Sequence, residues 1–380
     1  MATPRPRPDY AKLSIRIATP AQKVQSHKNQ YPEWGQPRGF DVPQFLHRET
    51  ILNGDDRPWV RDGGFTTWVL VPRDDPESLD LLASCETYKR DSLYLPPGET
   101  TPRPTTAYGI ASVFCIPEHR GNRYPTFLLQ LLHYVMAEEG TLPPFPAAWG
   151  APPDIKGYKD ARFSVLYSGV GRVFYSKVRK GDGEASEPGW VADEHAHRIW
   201  QIEDAPAPQV DGLEFLGAEE VEKLASGVDE YMKAELVNTG DKSKTRLAIL
   251  PTRNMFGIHP LRYELAPGHR KTATFGVRLP APAPGTPQPF FTYTYEISSA
   301  RPERLVLLYV QHPVPFSAVL AAAKHEGVGS IEMWGGFAGW DAEAGGATLD
   351  RDDSVCALAQ YGFGGDDKVE WEWVEKYAWC

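Results

Sequence analysis

The chain has 380 residues, 41% of them hydrophobic and 12% aromatic, which is enough apolar material for two cores of ordinary size. Its formal net charge of −10 provides no basic surface for nucleic acid or an anionic membrane, so we expect neither as a partner. No stretch reaches the roughly 18 apolar residues of a membrane span, and no apolar signal core follows the proline-rich start, so we expect a cytoplasmic protein.

The composition along the chain predicts a tail and two domains. Residues 1–10 contain prolines and charges with little to bury, which predicts disorder. Residues 11–203 alternate strand and helix patterns and form the first predicted domain. The linker-like run "IEDAPAPQ" at residues 202–209 separates it from a second domain at residues 210–380. Nothing in the sequence indicates the oligomeric state.

The first domain shows the strand and helix order of an α/β fold. Strands are predicted at residues 65–72, 79–94, 106–117 and 161–168, where β-branched and aromatic residues are frequent. The run "TFLLQLLHYVMAEEG" places its apolar residues on one helical face, with Pro125 in the first turn and Gly140 as a stop. A short helix is predicted at residues 169–178.

The second domain shows a similar order of predicted strands and helices. An amphipathic helix is predicted from Val221 to Leu236, and residues 303–311, 315–328 and 330–336 read as strand, helix and strand, with Ser317 as the helix N-cap. This order is typical of a βαβ unit. We interpret the second domain as a degenerate copy of the first, because its loop "HPVPF" has no glycine with which to cradle a phosphate.

The loop "PEHRGNRYPTF", residues 117–127, joins the third strand to the long helix. The N–H groups at a helix N-terminus bind anions, and small residues let the backbone approach them. Gly121 meets this need and Arg120 adds a cation. On these residues alone, an ordinary strand-to-helix turn is the simpler interpretation.

A wider pattern supports the anion-binding interpretation. The run "SVFCIPEHRGNRYPTFLLQLL" resembles the acyl-CoA-binding segment of the GNAT acetyltransferase superfamily. Further stretches resemble the fungal lysine N6-acetyltransferase family within it, and they occur in both halves of the chain: "TTWVLV" at residues 66–71, "LASCETY" at 82–88, "SVLYSGVGRVFY" at 164–175, "RDDSV" at 351–355 and "EKYAWC" at 375–380. The resemblance implies a mixed α/β GNAT fold in the first domain and a second α/β domain that is GNAT-like or accessory.

The resemblance also implies that acetyl-CoA is the co-substrate and that a small amine is the acceptor. Main-chain groups of Val113 and Cys115 would hold the thioester and pantetheine, and Tyr175 would protonate the leaving thiolate. Tyr175 could instead simply pack against the sheet. The pyrophosphate would contact the backbone amides of five consecutive loop residues, Arg120, Gly121, Asn122, Arg123 and Tyr124.

Candidates for a general base and for a metal site are less specific. Glu86 lies on a half-buried strand, where burial would raise the pKa of its carboxyl and suit it to proton removal, but an ion pair with Arg90 is equally simple. His195 and His197 share one strand face, where a solvated surface is more plausible than a metal site because no third ligand is evident. We expect no bound metal.

The four cysteines, Cys85, Cys115, Cys356 and Cys380, show no CxxC pair, and we interpret them as reduced thiols. Cys115 could be a nucleophile, but no adjacent histidine would activate it, so we expect it to pack in the core.

The last residues are rich in aromatic side chains. Residues 369–373 alternate apolar and acidic side chains, which predicts a half-exposed strand at the edge of the second domain. Alternatively the tail enters the active-site cleft, where Tyr377 and Trp379 line the substrate pocket and the carboxylate of Cys380 meets the amine.

Two departures from the family pattern concern the cofactor and the acceptor. Arg123 replaces a small residue, and Pro125 removes one N–H near the helix start. Arg123 either contacts a phosphate or fills the slot and excludes CoA. Residues 176–188 form an extra segment, for which we expect a mobile loop beside the cleft.

These observations favour an acetyl-CoA-dependent N-acetyltransferase that acts on a small amine such as the side-chain amine of lysine, by direct transfer in a ternary complex. Two alternatives remain. One is a GNAT-fold enzyme of a fungal specialised-metabolite pathway that has lost normal CoA binding and catalyses a decarboxylation or cyclisation. The other is a non-catalytic binding protein.

Overall fold

A computed structural model of the chain describes residues 8–183, 186–193, 197–202, 206–225, 227–271, 273–296, 303–335, 340, 347–349, 354–363 and 368–379. The expectations for His195, for Cys380, for residues 351–353 and for most of the N-terminal tail concern residues outside these ranges.

The described residues form seven α-helices and sixteen strands in a mixed α/β arrangement. The helices are α1 (Pro20–Trp34), α2 (Val42–Leu52), α3 (Tyr124–Met136), α4 (Ala218–Leu224), α5 (Val228–Asn238), α6 (Met255–Glu264) and α7 (Phe316–Glu326). The strands are β1 (Leu13–Ile17), β2 (Phe65–Pro72), β3 (Ala83–Leu95), β4 (Arg103–Phe114), β5 (Ala161–Ser168), β6 (Val191–Ala192), β7 (His197–Gln201), β8 (Glu214–Leu216), β9 (Thr245–Ile249), β10 (Gly276–Arg278), β11 (Phe290–Glu296), β12 (Arg304–Gln311), β13 (Ser330–Trp334), β14 (Ala347–Leu349), β15 (Val355–Gln360) and β16 (Val369–Glu372). None of these helices combines the length and the apolar character that a membrane crossing requires.

The first sheet has nine strands drawn from both halves of the chain. Its main path is β1-β2-β3-β4-β5-β15-β6, and β9 joins the far part of β3 and pairs with β16. The pairs β1–β2, β2–β3 and β3–β4 are antiparallel, whereas the pair β4–β5 is parallel. The tail strand β16 therefore pairs within the first sheet, which corrects the expectation that it closes the edge of the second domain.

The second sheet has seven strands in the order β14-β7-β13-β12-β11-β10-β8. The parallel strands β12 and β13 flank α7, so the predicted βαβ unit is present. Its helix begins at Phe316, two residues earlier than a Ser317 N-cap predicts, because Pro315 is the N-cap. β7 precedes the expected domain boundary at residue 203 but belongs to this sheet, and β9, β15 and β16 follow that boundary but belong to the first.

The helix α3 packs the first sheet as its sequence predicts. The apolar face consists of side chains that are all at most 2% exposed: Phe127, Leu128, Leu131, Leu132, Val135 and Met136. They share one core cluster with residues of the sheet, among them Trp68 of β2 and Tyr108 of β4. Burial of this face fixes the position of the helix N-terminus, and therefore of the loop that precedes it, relative to β4.

The helices α1 and α2 were not predicted from the sequence, although each begins with a recognisable signal. Thr19 caps α1 and Asp41 caps α2, and in both helices a glutamine three residues later completes a capping box. Each helix also has a proline in its first turn. Their apolar faces are short, which is why hydrophobic periodicity alone did not indicate them.

The parallel strands β4 and β5 separate at one end. Their pairing runs from Thr106 and Ala161 to Ile110 and Leu166 and ends there. Just beyond, Ser112 has a left-handed backbone with φ of 52°, and the register between β3 and β4 shifts opposite this point. A β-bulge of this kind re-aims a strand, so the end of β4 turns away from β5 and opens a gap.

Candidate active site

The gap between β4 and β5 leads into a cavity of about 860 Å³. The cavity is lined by the end of β4, by β5 and the loop that follows it, by the start of α3, by α1 and α2, by Arg262 of α6 and by Trp379 of the C-terminal tail. Both halves of the chain therefore contribute to its wall. Its size is within the range of sites that bind small molecules and cofactors.

The loop at the start of α3 has the arrangement of an anion site. A short 3₁₀ helix at Pro117–His119 leads into it, and the N–H of Arg120 is already hydrogen-bonded to the oxygen of Pro117. The next four N–H groups, of residues 121–124, have no acceptor among the described residues. These groups surround the N-terminus of α3, where the helix dipole favours negative charge. The expectation of five available amides is thus corrected to four.

The positions of Gly121 and Arg123 explain the shape of this loop. Both have left-handed backbones, with φ of 88° and 60°. Glycine adopts this conformation freely, whereas a residue with a Cβ is strained in it. Arg123 is the N-cap residue of α3, and its side chain is exposed and lies outside the residues that line the cavity. The side chain therefore does not fill the cavity.

Arg120, Val113 and Cys115 all line the cavity near the loop. The Nε of Arg120 donates to the main-chain oxygen of Cys115 at 3.1 Å, which holds the guanidinium at the cavity wall. The thiol of Cys115 donates to the oxygen of Leu82 at 3.3 Å, and burial raises its pKa. A thiol of this kind is a poor nucleophile, which agrees with a packing role.

The other two loop side chains stay close to the loop itself. Asn122 donates from Nδ2 to the oxygen of His119 at 3.0 Å, and the ring of Tyr124 contacts the His119 ring edge-on. Neither side chain lines the cavity. Their contribution to an anion site would therefore come from their backbone N–H groups.

Tyr175 lines the cavity from a 3₁₀ turn, Tyr175–Lys177, that is shorter than the helix predicted there. The side chain is half-buried and packs edge-on against Trp190. Burial raises the pKa of its hydroxyl well above the ordinary value. The hydroxyl therefore carries its proton at neutral pH and can donate it.

The segment that follows Tyr175 is partly anchored, which corrects the expectation of a mobile loop. Val178 is fully buried, and Lys180 is nearly so. The Nζ of Lys180 donates to the oxygen of Gln360 at 2.8 Å and lies 2.6 Å from Glu187. At least this part of the insertion is fixed to β15.

Glu86 lines the cavity from β3 and is 3% exposed. Its Oε1 accepts from Nε2 of His27 on α1 at 3.1 Å. Burial acts to raise the pKa of Glu86, but the hydrogen bond and charge of His27 and a hydrogen bond from Ser112 outweigh it and lower the pKa below its ordinary value. The expected raised pKa is therefore wrong, because the partner lies on a helix that the sequence analysis missed.

Three arginines at the cavity were also missed. Arg38 follows α1, Arg48 lies on α2 and Arg262 lies on α6. Arg48 forms an ion pair with Glu49, whose second oxygen accepts from Nδ2 of Asn53 at 3.2 Å. Arginines so far apart in sequence give no local pattern, and only the fold brings them together.

Two aromatic residues of the C-terminal tail, Tyr377 and Trp379, lie in different environments. Tyr377 is fully buried and donates from Oη to the oxygen of Ile249 at 2.6 Å, so the expectation that it lines the pocket is corrected. Trp379 does line the cavity, which is the position expected if the tail enters the cleft. Its ring lies 4.8 Å from the guanidinium of Arg262 and 5.1 Å from Nζ of Lys376.

The expectation that His197 lies on a solvated strand face is wrong. His197 is buried on β7, with Nε2 3.5 Å from Oε1 of Glu332. Within the described ranges, no group of three or more His, Cys, Asp or Glu side chains is arranged to hold a metal ion.

Comparison with known proteins gives matches in sequence and in structure. Residues 197–380 match the family model of the LYC1 GNAT-like C-terminal domain. The fold is similar to a GCN5-related N-acetyltransferase from Kribbella flavida, with 14% identity, a TM-score of 0.50 and coverage of 92% of this chain and 72% of that chain. It is also similar to a protein of unknown function from Enterococcus faecalis V583, described as a probable N-acyltransferase, with 13% identity, a TM-score of 0.51 and coverage of 92% and 73%.

A comparison with curated protein sequences gives no match. At 13–14% identity the two structures establish the fold alone. Their coverage of 92% of this chain means that both sheets take part in the shared architecture. The structural similarity shows that this chain shares the fold of these two proteins, and residues 197–380 are similar to the LYC1 GNAT-like C-terminal domain.

Proposed function

We propose that the protein is an acetyl-CoA-dependent N-acetyltransferase that acetylates a small amine, such as the side-chain amine of lysine, by direct transfer in a ternary complex. One observation carries this proposal. The cavity opens where the parallel strands β4 and β5 separate, and beside it four N–H groups at the N-terminus of α3 have no acceptor among the described residues. A site with these two parts suits a long ligand with a diphosphate group.

The residues present fit acetyl-CoA. The N–H groups of residues 121–124 would hold the pyrophosphate, and Arg120 would add a cation at the cavity wall. The main chain of Val113 and Cys115 would hold the pantetheine, because both residues line the cavity at the end of β4. Bound acetyl-CoA supplies an acetyl group activated as a thioester.

Tyr175 is proposed as the proton donor. Its hydroxyl is protonated at neutral pH, as in any tyrosine, and burial raises its pKa further, so the proton is present over the whole working pH range. Its side chain lines the cavity. A positioned acid of this kind contributes about 10² to 10⁴-fold in rate. The proton it holds would neutralise negative charge as that charge develops on the departing sulfur.

Glu86 is proposed to act on the acceptor nitrogen. His27 and Ser112 hold its carboxylate ionised, so it presents negative charge to the cavity throughout the neutral pH range. A low pKa makes Glu86 a weak base but a good partner for an ammonium group. We therefore propose that it first holds the amine in the cavity and then receives the proton that the amine loses.

The experiment is an incubation of the purified protein with acetyl-CoA and L-lysine. We expect equal amounts of N6-acetyl-lysine, identified by mass spectrometry, and free CoA thiol. Free CoA without acetylated amine, or binding of acetyl-CoA with no turnover over a panel of small amines, would count against the proposal and favour the repurposed-fold or binding-protein alternatives.

A further inference from the structure

Three guanidinium groups meet in one part of the cavity wall. Arg38, Arg48 and Arg262 come from three separate segments, and all three line the cavity. Arg48 and Arg262 both act electrostatically on Arg38, and Arg262 acts on Arg48, so the three charges are close together. Such a cluster is unexpected in a protein whose formal net charge is −10.

The acidic side chains nearby do not balance this cluster. Glu49 pairs with Arg48, and Glu86 pairs with His27. Glu33 also lines the cavity, but it is exposed to solvent. Glu296 also acts electrostatically on Arg38, but its ion pair is with Arg304, 3.7 Å away. Among the described residues, these ion pairs account for one of the three arginines and leave Arg38 and Arg262 without one.

Arg262 in particular lacks hydrogen-bond acceptors. Its Nε and Nη1 are buried and have no hydrogen-bond partner within the described part of the chain. Buried polar groups in folded proteins are nearly always hydrogen-bonded, and a bound anion would supply the acceptors that these two N–H groups lack. A guanidinium presents a planar fork of donors that matches the two oxygens of a carboxylate or phosphate.

Trp379 holds Arg262 in this position. The guanidinium lies 4.8 Å from the centre of the Trp379 ring, a cation–π contact. Lys376 approaches the same ring at 5.1 Å. The C-terminal tail thereby contributes a positioning residue for the arginine cluster as well as a part of the cavity wall.

The same cavity offers an apolar surface for a short carbon chain. Trp34 and Phe114 line it and contact each other edge-on, with ring centres 5.6 Å apart. An amine separated from an oxyanion by methylene groups would meet Glu86 with its ammonium, the aromatic rings with its chain and the arginines with its oxyanion.

We propose that the acceptor is an anionic amine whose oxyanion, a carboxylate or a phosphate, is bound by Arg262 with Arg38 beside it. The inference rests on the proposed acetyltransferase function, and it names the class of acceptor and the residues that select it. It assigns acceptor recognition to α6 and the tail, in the second half of the chain.

The first test compares three primary amines that share a chain of five methylenes and end in a carboxylate, a phosphate or a methyl group: 6-aminohexanoate, 5-aminopentyl phosphate and n-hexylamine. We expect the wild-type kcat/KM for at least one anionic acceptor to exceed that for n-hexylamine tenfold or more. In Arg262→Gln this preference disappears while the KM for acetyl-CoA stays within twofold, and Arg262→Lys retains part of it. The better of the two anions identifies the oxyanion. Equal use of all three acceptors by the wild type, or an unchanged preference in Arg262→Gln, would overturn the proposal.

The second test measures binding without turnover, so that it does not depend on the acetyltransferase function. Calorimetry with hexanoate and with hexyl phosphate should show binding of at least one anion to the wild type, weakened tenfold or more in Arg262→Gln and also weakened in Arg38→Gln. The exposed Arg16, changed to Gln, is the matched control and should bind as the wild type does. Absence of anion binding to the wild type would overturn the inference.

The two tests separate the two proposals. Anion binding that depends on Arg262, without any binding of acetyl-CoA, would refute the acetyltransferase function and leave the oxyanion site standing. Acetylation of amines without a preference for anionic acceptors would refute the oxyanion site and leave the acetyltransferase function standing.

Discussion

His27 Nε2 lies 3.1 Å from Glu86 Oε1, and both side chains are almost completely buried. The pair joins α1 to β3 at the wall of the cavity. Burial acts to lower the pKa of His27, but the hydrogen bond and charge of Glu86 outweigh it and raise the pKa above 6.5. The pKa of Glu86 is correspondingly held below 4.5.

These opposite shifts predict how stability depends on pH. The raised pKa of His27 stabilises the fold fully below pH 6.5, and this contribution is lost as the pH rises through the raised value. The lowered pKa of Glu86 stabilises the fold above pH 4.5, and this contribution is lost as the pH falls through the lowered value. Both contributions are therefore fully present between pH 4.5 and pH 6.5.

His27→Gln should therefore lower the free energy of unfolding by about 1–3 kcal/mol at a pH near 5.5. The loss should become smaller at alkaline pH, where His27 is neutral in both states. Urea unfolding of wild type and variant at several pH values measures this difference, with the exposed His47→Gln as control. An equal loss at all pH values would contradict the charged pair.

Tyr175→Phe should lower kcat by about 10²-fold or more, because the proton donor is removed. The KM for acetyl-CoA should change little, and the thermal midpoint should remain close to that of the wild type, because the ring still packs against Trp190. Steady-state kinetics and a thermal melt measure both quantities. Tyr134→Phe, away from this cavity, is the control. A loss of stability with unchanged kcat would indicate that Tyr175 only packs.

Arg123→Gly should raise the free energy of unfolding by about 0.5–1 kcal/mol, because glycine relieves the left-handed strain at φ of 60°. The affinity for acetyl-CoA should fall less than tenfold, since the side chain is exposed and outside the cavity. Arg123→Ala removes the charge but keeps the Cβ, and so it separates strain from charge. A large gain in affinity on removing the side chain would show that Arg123 obstructs the cofactor.

Deletion of residues 378–380 should raise the KM of the acceptor at least tenfold, about 1.4 kcal/mol, while the affinity for acetyl-CoA is unchanged. Trp379 lines the cavity and supports Arg262, so its loss weakens acceptor binding. Trp379→Ala is the milder variant and leaves the buried Ala378 in place. If the truncated protein kept full activity and acceptor affinity, the tail would have no part in the site.

Glu86→Gln should raise the KM of the acceptor amine and lower kcat, because the neutral amide neither attracts the ammonium nor receives its proton. The KM for acetyl-CoA should stay within twofold, which distinguishes this role from a general loss of structure. His27→Gln provides the comparison, since it removes the partner of Glu86 and keeps the carboxylate. Unchanged acceptor kinetics in Glu86→Gln would exclude Glu86 from the site.

The local features of the fold could be predicted from the sequence. The helix α3 and the strands β2 to β5 have strong patterns, and their cores form as those patterns indicate. The participation of β9, β15 and β16 in the first sheet could not be predicted, because strand pairing over such distances along the chain leaves no local signal.

The lining of the cavity also has one part that the sequence predicts and one part that only the fold brings together. The side that we propose for the cofactor lies in one continuous segment, from Val113 to Pro125, and could be proposed from the sequence. The side that we propose for the acceptor combines Arg48, Arg262 and Trp379 with Glu86, whose partner His27 lies on α1, and these residues come from distant segments. The pKa of Glu86 was predicted in the wrong direction for this reason, because burial was visible in the strand pattern and the histidine partner was not.

Calorimetric titration of the full chain with acetyl-CoA, up to about millimolar concentration, tests the central claim most directly. We predict saturable binding with one site per chain. Substitution of Arg120 by Gln should weaken this binding, because the guanidinium at the cavity wall is lost. No detectable binding of acetyl-CoA to the folded protein at millimolar concentration would contradict the acetyltransferase function.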